Sequence, residues 1–511
     1  DRRAKNLGLD PLPDIDFNIR CGNTLVGYAS ENEIVNHLNP KGIEAVTNDN
    51  KGSFVVGDLF AQKKMDEMKE TMETEMQKVA MAYDIFRTIQ LSQHEDMAAF
   101  KAAKEELRTR LAAFTDLLNH QLFAHSSRDD YNEWLASHQP FHWIAEYYQI
   151  IHGNGGFDVI IGNPPYVVYT DGQYQYRITK EYKTFSCCNL YAYCSERSHH
   201  LTNPVGRFGI ILPNSSISAS KLAPLQNIFA KNHSCWISNY SWRPSKLFEG
   251  ADMLLAIIIN DMSQNTVVNS TQYYKWYGDY RTDLFKCISY HDVKNIMIEG
   301  SIPKMPASHC ALSILSEMKL KYPHTYLPSV FQRQTSNKIF YFRAVQYWFK
   351  VLDREPIYDE DGVHKVTGEM KPIYLRNKDE QYSVLAILSS SLFFMNYIVW
   401  SSCQVVNSRD FNIPIDINAL PNELLQELSL LGQRLQLDYQ KYSHLKERNY
   451  SKKGREFTMK KQHFFIKFSK PIIDEIDKVL AKHYGFTEEE LDFIINYDIK
   501  YRMGDELNAD E

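Results

Sequence analysis

Three short apolar runs, each separated from the next by a helical pattern, set the fold class. FDVIIG (157–162), RFGIILP (207–213) and MLLAIII (253–259) are aliphatic and β-branched, like strands covered on both faces. Helical patterns lie between them, around Tyr191–Leu201 and Leu222–Asn232. Strand and helix alternating in this way predict an α/β domain on a largely parallel sheet over 126–262.

The rest of the chain divides around that domain. Residues 1–60 mix Pro/Asp turns with short apolar runs and read as a first part of the same domain. Residues 61–125 contain no Gly or Pro, and Met65, Met68, Met72, Met76, Val79, Tyr83 and Phe86 recur three or four apart. Leu107, Leu111, Phe114 and Leu118 do the same, so an amphipathic helical hairpin is inserted here. Residues 263–310 are polar and read as a linker. Residues 311–440 mix helices, short strands and turns such as DEDG. From 441 to 511 the pattern is helical, broken by a basic segment. At 511 residues several domains are expected, and 44% hydrophobic with 23% charged residues excludes a wholly disordered chain.

Charge and cysteine usage narrow the classes further. The net charge is −6, so any surface for nucleic acid is local. Eight cysteines without a CxxC read as reduced thiols, which implies a cytoplasmic protein. Cys187, Cys188, Cys194, His199 and His200 cluster without zinc-finger spacing, and no metal is expected. Ser383–Trp400 is uncharged over 18 residues, but Ser389, Ser390, Ser391 and Asn396 lie inside it. It reads as a buried helix, not a membrane span.

The sharpest chemical signal is FDVIIGNPPYV (157–167). A buried strand runs into Asn163, Pro164, Pro165 and Tyr166. Two prolines fix φ and remove two donors, so the loop is stiff and leaves the Asn163 and Pro164 carbonyls free as acceptors. Asn163 adds a side-chain carbonyl. A rigid pair of acceptors suits an amino group whose two N–H bonds must be held while its lone pair, otherwise conjugated with a ring, attacks. Tyr166 offers a ring for a base to stack on. A plain turn after a core strand is the alternative.

Asn-Pro-Pro-Tyr after such a strand resembles the catalytic motif of amino-group methyltransferases that use S-adenosylmethionine. NLYAYCSERSHHL (189–201), GRFGIILPNSSISAS (206–220) and SKLFEGADMLLAIII (245–259) resemble, in order, the following motifs of gamma-class adenine-N6 DNA methyltransferases. That resemblance makes Phe248 the partner of Tyr166 on a flipped adenine; a core Phe is the alternative. PLPDIDFNIRCGNTLVG (11–27) resembles the cofactor-adenine motif of type IIG restriction–modification enzymes, with Asn23 at the position that holds the adenine. Pro165 would also border the cofactor. The insertion and the tail SKPIIDEIDKVLAKHYGFTEEELDFIINYDIKYRMG (469–504) resemble those enzymes too. The fold implied is a Rossmann-like methyltransferase domain with a helical insertion, then an α+β target-recognition domain and C-terminal helices.

The chain departs from that family at one point. No glycine loop of the form D-P-x-x-G-x-G lies in residues 1–22, and Gly153-Asn154-Gly155-Gly156 precedes the NPPY strand without a helix, as a turn. The chain therefore reads as the C-terminal portion of a longer polypeptide, with a nuclease and a cofactor-loop region upstream.

Double-stranded DNA is the partner this resemblance implies. Residues 441–470 carry ten Lys or Arg and two Glu, a local +8, with Tyr442, Tyr450, Phe457 and Phe464 interleaved. Lys452, Lys453, Arg455, Lys460 and Lys461 are phosphate candidates; a solvated helix or loop is the alternative. FYFRAVQYWFK (340–350) and SSCQVVNSRDFNIPI (401–415) resemble pieces of the target-recognition domain, which makes Arg343, Gln404, Asn407, Ser408 and Arg409 candidates for base edges or phosphates. Three functions stay open: a sequence-specific adenine methyltransferase of a restriction–modification or anti-phage system, a DNA-binding specificity module without catalysis, and a methyltransferase acting on protein glutamine amides.

Overall fold

A computed structural model describes residues 16–38, 56–91, 96–126, 128–231, 233–263, 266–298, 300–306, 308–365, 367–452 and 455–504. Residues 11–15 of the first motif and Lys453 lie outside the described residues. Six strands form one mixed sheet: β1 (Phe157–Gly162), β2 (Thr202–Pro213), β3 (Ser234–Tyr240), β4 (Leu255–Asp261), β5 (Val268–Tyr274) and β6 (His291–Asp292), in the order β1-β2-β4-β3-β5-β6. β1 runs parallel to β2 and β3 parallel to β5, while β6 is antiparallel to β5. The chain divides into two compact units, Asp1–Ile210 with Asn232–Ser234 and Ile259–Asn265, and Ile211–Lys231 with Cys235–Ile258 and Thr266–Glu511.

The first unit holds helices α1 (Glu31–Leu38), α2 (Val56–Leu91), α3 (Met97–Ala124), α4 (Tyr131–His138), α5 (Trp143–Glu146) and α6 (Leu190–Leu201). The spacing of apolar residues makes α2 and α3 a hairpin whose seam buries Met72, Met76, Val79 and Phe86 with Leu107, Leu111, Phe114 and Leu118. Asp96 caps α3 by accepting the N–H groups of Ala98 and Ala99, both at 3.0 Å. Buried His142 ties the first motif to this hairpin: its Nδ1 accepts the Tyr28 N–H at 3.2 Å, and its Nε2 lies 3.0 Å from Asn119 Oδ1. Burial drives the imidazole down to about 3, so it is neutral.

β1 departs from the expectation of a strand covered on both faces. Val159 and Ile161 are exposed, Ile161 by 82%. β1 is the edge strand of its sheet. The turn before it needs glycine: Gly156 has φ +130°, and a Cβ there would sit 2.6 Å from the Leu201 carbonyl oxygen.

The second unit adds α7 (Ser215–Ser218), α8 (Ala223–Ala230), α9 (His309–Lys321), α10 (Lys378–Ser389), α11 (Ser391–Trp400), α12 (Asn422–Lys441), α13 (Lys470–Tyr484), α14 (Glu488–Ile495) and α15 (Ile499–Met503). Two small sheets accompany them. One has the order β11 (Met370–Leu375)-β7 (Asn337–Phe342)-β8 (Val351–Leu352), and the other β10 (Val363–His364)-β9 (Tyr358–Glu360)-β13 (Arg455–Phe464)-β12 (Ser443–Lys452). Two sequence expectations are corrected here. The stretch expected as a linker, 263–310, contributes β5, whose Ser270 and Thr271 are buried against Asn239. The basic segment, read as a break in a helical pattern with a solvated helix or loop as the alternative to phosphate contact, is the antiparallel hairpin β12–β13. In both, polar side chains fill strand positions that hydropathy alone leaves unmarked.

The uncharged stretch 383–400 is two buried helices, α10 and α11, bent by 63° at Ser390. No single helix among the described residues is long and apolar enough to cross a membrane. The bend is held from outside. Asp477 of α13 accepts the Ser391 and Leu392 N–H groups at 3.2 and 3.1 Å, satisfying the first turn of α11. Burial pushes the Asp477 carboxyl up to about 6, above an unfolded value near 4. A raised folded value means that its stabilisation is complete below pH ~4 and is lost as pH rises through ~6. We expect this group to cost the second unit about 3 kcal/mol between those limits. Urea melts at pH 4 and pH 7 should therefore differ less in Asp477→Asn than in the wild type.

Candidate active site

β1 ends at Gly162, and Asn163–Tyr166 continues from its carboxyl end, where parallel α/β sheets hold their ligands. The far side of the loop is pinned by backbone: Leu190 N–H donates to the Val167 oxygen and Tyr169 N–H to the Cys188 oxygen, both at 2.9 Å. The NPPY segment is thus strung between a strand and the start of α6. Beneath it Leu25, Tyr169, Ile178, Tyr182, Leu190 and Tyr193 form a small aromatic core. This core brings the first motif, through Leu25, to a residue three positions after Tyr166.

Within the loop Asn163 and Pro165 are exposed, and Pro164 and Tyr166 are half-buried. The Asn163 side chain has no hydrogen-bond partner among the described residues, so its carbonyl is available to an incoming group. Tyr166 meets Tyr191 edge-on at 6.3 Å between ring centroids. Burial pushes its phenol up to about 12, which keeps the ring neutral for stacking. Asp158 fastens the other end of β1 by accepting Asn203 Nδ2 at 2.6 Å and Asn154 Nδ2 at 3.1 Å.

Asn23 is committed within its own turn. Its Oδ1 accepts the Leu25 N–H at 3.1 Å, its backbone N–H donates to the Gln139 oxygen at 2.7 Å, and its side chain bonds the Tyr176 hydroxyl. Gly153–Gly156 packs against the end of α6 and the start of β2. An S-adenosylmethionine cradle asks for a free polar group at the adenine and a glycine loop at the methionine end. Among the described residues neither is free, so these residues do not by themselves fit the whole cofactor, and no step below is routed through it. The Cys187–His200 cluster does not converge either. Among the described residues only His309, Cys310 and Glu489 bring possible metal-ligand atoms within 4.8 Å of one another.

The second unit carries the other candidates. Phe248 lies on the exposed loop between β3 and β4, 37% accessible. The Val406 N–H donates to the Arg343 oxygen at 2.8 Å, so the two stretches that hold Arg343 and Gln404–Arg409 are neighbours. Gln404, Asn407 and Ser408 are exposed. Asn407 caps the short turn Ser408–Phe411, and its backbone N–H donates to Asp410 Oδ2 at 2.7 Å. Arg409 is engaged in the framework: Nη2 donates to the Ser218 and Gly300 oxygens at 2.5 and 2.9 Å, and Nη1 to Ser220 Oγ at 2.7 Å. We therefore expect Arg409→Ala to cost roughly 2 kcal/mol of stability with little change in the ratio of cognate to random DNA affinity. Thermal melts and paired binding titrations check this, and a collapsed ratio at unchanged stability would return Arg409 to base reading.

On the hairpin, Arg455 is paired with Glu360 and Asp361 at 3.1 and 3.2 Å, and Lys461 approaches Glu369 at 3.8 Å. Lys460 stands opposite Glu447, and the β12 backbone reaches Lys452. Sequence reading passed over Lys446, which is exposed and sits opposite Lys461 in the ladder. Like charges opposite one another destabilise a strand pair, so the arrangement favours an anionic visitor. The signal that could have found it is the alternation Lys446, Arg448, Tyr450 on one face.

Residues 59–248 match the family model described as Eco57I restriction-modification methylase. A putative type II restriction enzyme and methyltransferase of Methanocaldococcus jannaschii is 26% identical over 291 residues, 51% of this chain and 23% of that protein. The chain thus spans about a quarter of the length of that curated relative. Among solved structures, the type IIL restriction-modification enzyme MmeI in complex with DNA is similar at 12% identity and TM-score 0.37, covering 78% of this chain and 65% of that one. The type IIG restriction endonuclease BpuSI is similar at 10% identity and TM-score 0.23, covering 54% and 49%.

Proposed function

We propose, from the premise that this chain carries the methylase region of a restriction–modification enzyme, that it methylates the N6 amine of an adenine within a recognised double-stranded DNA sequence. The observation that carries this reading is the exposed, proline-stiffened Asn163–Tyr166 loop at the carboxyl end of a parallel strand. The Asn163 side-chain carbonyl and the Pro164 carbonyl accept the two N–H bonds of the amine and turn its lone pair away from the ring. A methyl group meeting that lone pair would form the N–C bond as its bond to the donor breaks, and the nitrogen would release one proton. Tyr166 stacks on the extruded base, and Phe248 is its proposed second contact. The methyl donor of such enzymes is S-adenosylmethionine. Pro165 and the turn that holds Asn23 would border it.

The test is chemical identification of the product. Duplex DNA methylated by the intact enzyme, digested to nucleosides, should yield N6-methyldeoxyadenosine; N4-methyldeoxycytidine, or label confined to protein glutamine, would overturn the reading. A DNA-binding module without catalysis is the second reading, favoured by the committed carbonyl of Asn23. Calorimetry of the intact enzyme with S-adenosylmethionine separates the two: the methyltransferase should bind it and the module should not.

The proposed DNA contact predicts a salt effect. Lys446 and Arg448 are exposed on one face of β12. Reversing both to Glu should flatten the slope of log K against log salt by about 1.8, at roughly 0.9 per phosphate contact. Cognate and random duplex should weaken alike, since phosphates carry no sequence. An unchanged slope would make this face a solvated one.

A further inference from the structure

We propose that a cavity in the second unit, between the β7–β8 connection and β13, binds a nucleoside phosphate, with the phosphate at Lys350 and Arg343 and the ring against the aromatic wall. The cavity measures about 800 Å³, within the range of small-molecule sites. Its walls combine two chemistries. Arg343, Lys350, Lys461 and Lys467 bring positive charge, and Phe342, Tyr347, Trp348 and Tyr358 bring rings. One acidic residue, Glu369, lies on the wall, and it is turned toward Lys461 and largely solvated.

Lys350 carries the argument. Its ammonium stands 4.6 Å from the Phe342 ring centroid and 5.9 Å from that of Phe464. The side chain is half-buried, and that burial lowers the amine from its ordinary value. No carboxylate is paired with it among the described residues. Arg343 adds a buried Nε without a hydrogen-bond partner on the same wall. A half-buried cation without a counter-ion is disfavoured, and a second unsatisfied cationic donor beside it repeats the anomaly. Both are answered by an anion entering the cavity.

The rings decide which anion. Lys461 lies 4.7 Å over the Tyr358 ring and Arg502 4.0 Å over Trp348, so the aromatic surfaces are held in place by cations on the same wall. Arg502 is itself fixed by Ser391 Oγ, 3.1 Å from both Nη1 and Nη2. Flat rings beside unpaired cations fit a base with its phosphate better than an inorganic ion. The field continues outward: Lys350, Lys446, Lys461 and Arg448 all act on His463 at the cavity rim, adding to the burial that lowers its imidazole. The nucleotide is either free or part of a strand, and the strand form rests on the DNA reading above.

The experiment uses the intact protein and reads Trp348 and its neighbours by intrinsic fluorescence, with calorimetry alongside. Deoxyadenosine 5′-monophosphate, deoxyadenosine, inorganic phosphate and a short duplex are titrated into wild type, Lys350→Met, Lys350→Arg and Arg343→Gln, each checked for folding by circular dichroism. Saturable monophosphate binding, weakened at least tenfold in Lys350→Met and Arg343→Gln, kept in Lys350→Arg and much weaker for deoxyadenosine, supports a free-nucleotide site. Duplex binding weakened by the same two variants without monophosphate binding supports the strand form. If Lys350→Met and Arg343→Gln fold and leave every probe's affinity unchanged, the proposal is overturned. If Lys350→Met fails to fold, Arg343→Gln decides alone. Methyl transfer is not a readout here, so loss of the adenine reading leaves this outcome untouched.

Discussion

Replacing Asn163 by Ala in the intact enzyme is expected to slow methyl transfer by about two to three orders of magnitude, the usual cost of deleting one positioned polar group from a transition state. Duplex affinity should stay within about twofold, because Asn163 is exposed on the loop after β1 and supports no other residue among those described. Asn163→Asp keeps an acceptor oxygen and should retain more activity than the Ala variant. Single-turnover methylation and a parallel binding titration make the comparison. Methylation by Asn163→Ala within a few-fold of wild type would remove the loop from the chemistry.

The largest effect on stability is expected at Gly432. This glycine lies within α12 where α12 crosses α10, and a Cβ there would sit 2.2 Å from the Tyr382 oxygen and 3.0 Å from its carbonyl carbon. At an ordinary helical site Gly→Ala stabilises by about 1 kcal/mol. Here the obstacle is backbone, which cannot rotate aside, and parting the helices loosens the packing around Ser383, Val384 and Leu428. Gly432→Ala should therefore cost about 3 kcal/mol, or roughly 6–12 °C in Tm for a unit of this size. A thermal scan showing an unchanged or raised Tm would mean that the two helices part freely.

What could be read from the sequence was local. The α2–α3 hairpin was legible because its apolar residues recur every three or four positions, and that period is the packing seam itself. The NPPY loop was legible because two prolines and the strand before them are contiguous. β5 was not, since VNSTQYY hides its strand character in buried Ser270 and Thr271, whose partner Asn239 is some thirty residues away. The β12–β13 hairpin was masked by its own charge. Arg409 shows the same limit at a candidate site residue. Its acceptors at Ser218 and Gly300 lie 191 and 109 positions away, so a guanidinium stitched into the framework read as one free to meet a base. Lys350 ends the stretch FYFRAVQYWFK (340–350), but only the cavity walls set it apart from its neighbours.

The outer strand of the basic hairpin has a bearing on colloidal behaviour. β12 ends its sheet, so one side of its backbone offers N–H and C=O groups to any passing strand. A second copy docking there antiparallel would bring its own Lys446 and Arg448 alongside these, and the mutual repulsion holds such copies apart. The same two cations, Lys446 and Arg448, proposed to attract a polyanion would therefore disfavour self-pairing at this edge when none is bound. Salt that loosens the first effect also weakens the second, because both act through solvent-exposed charge.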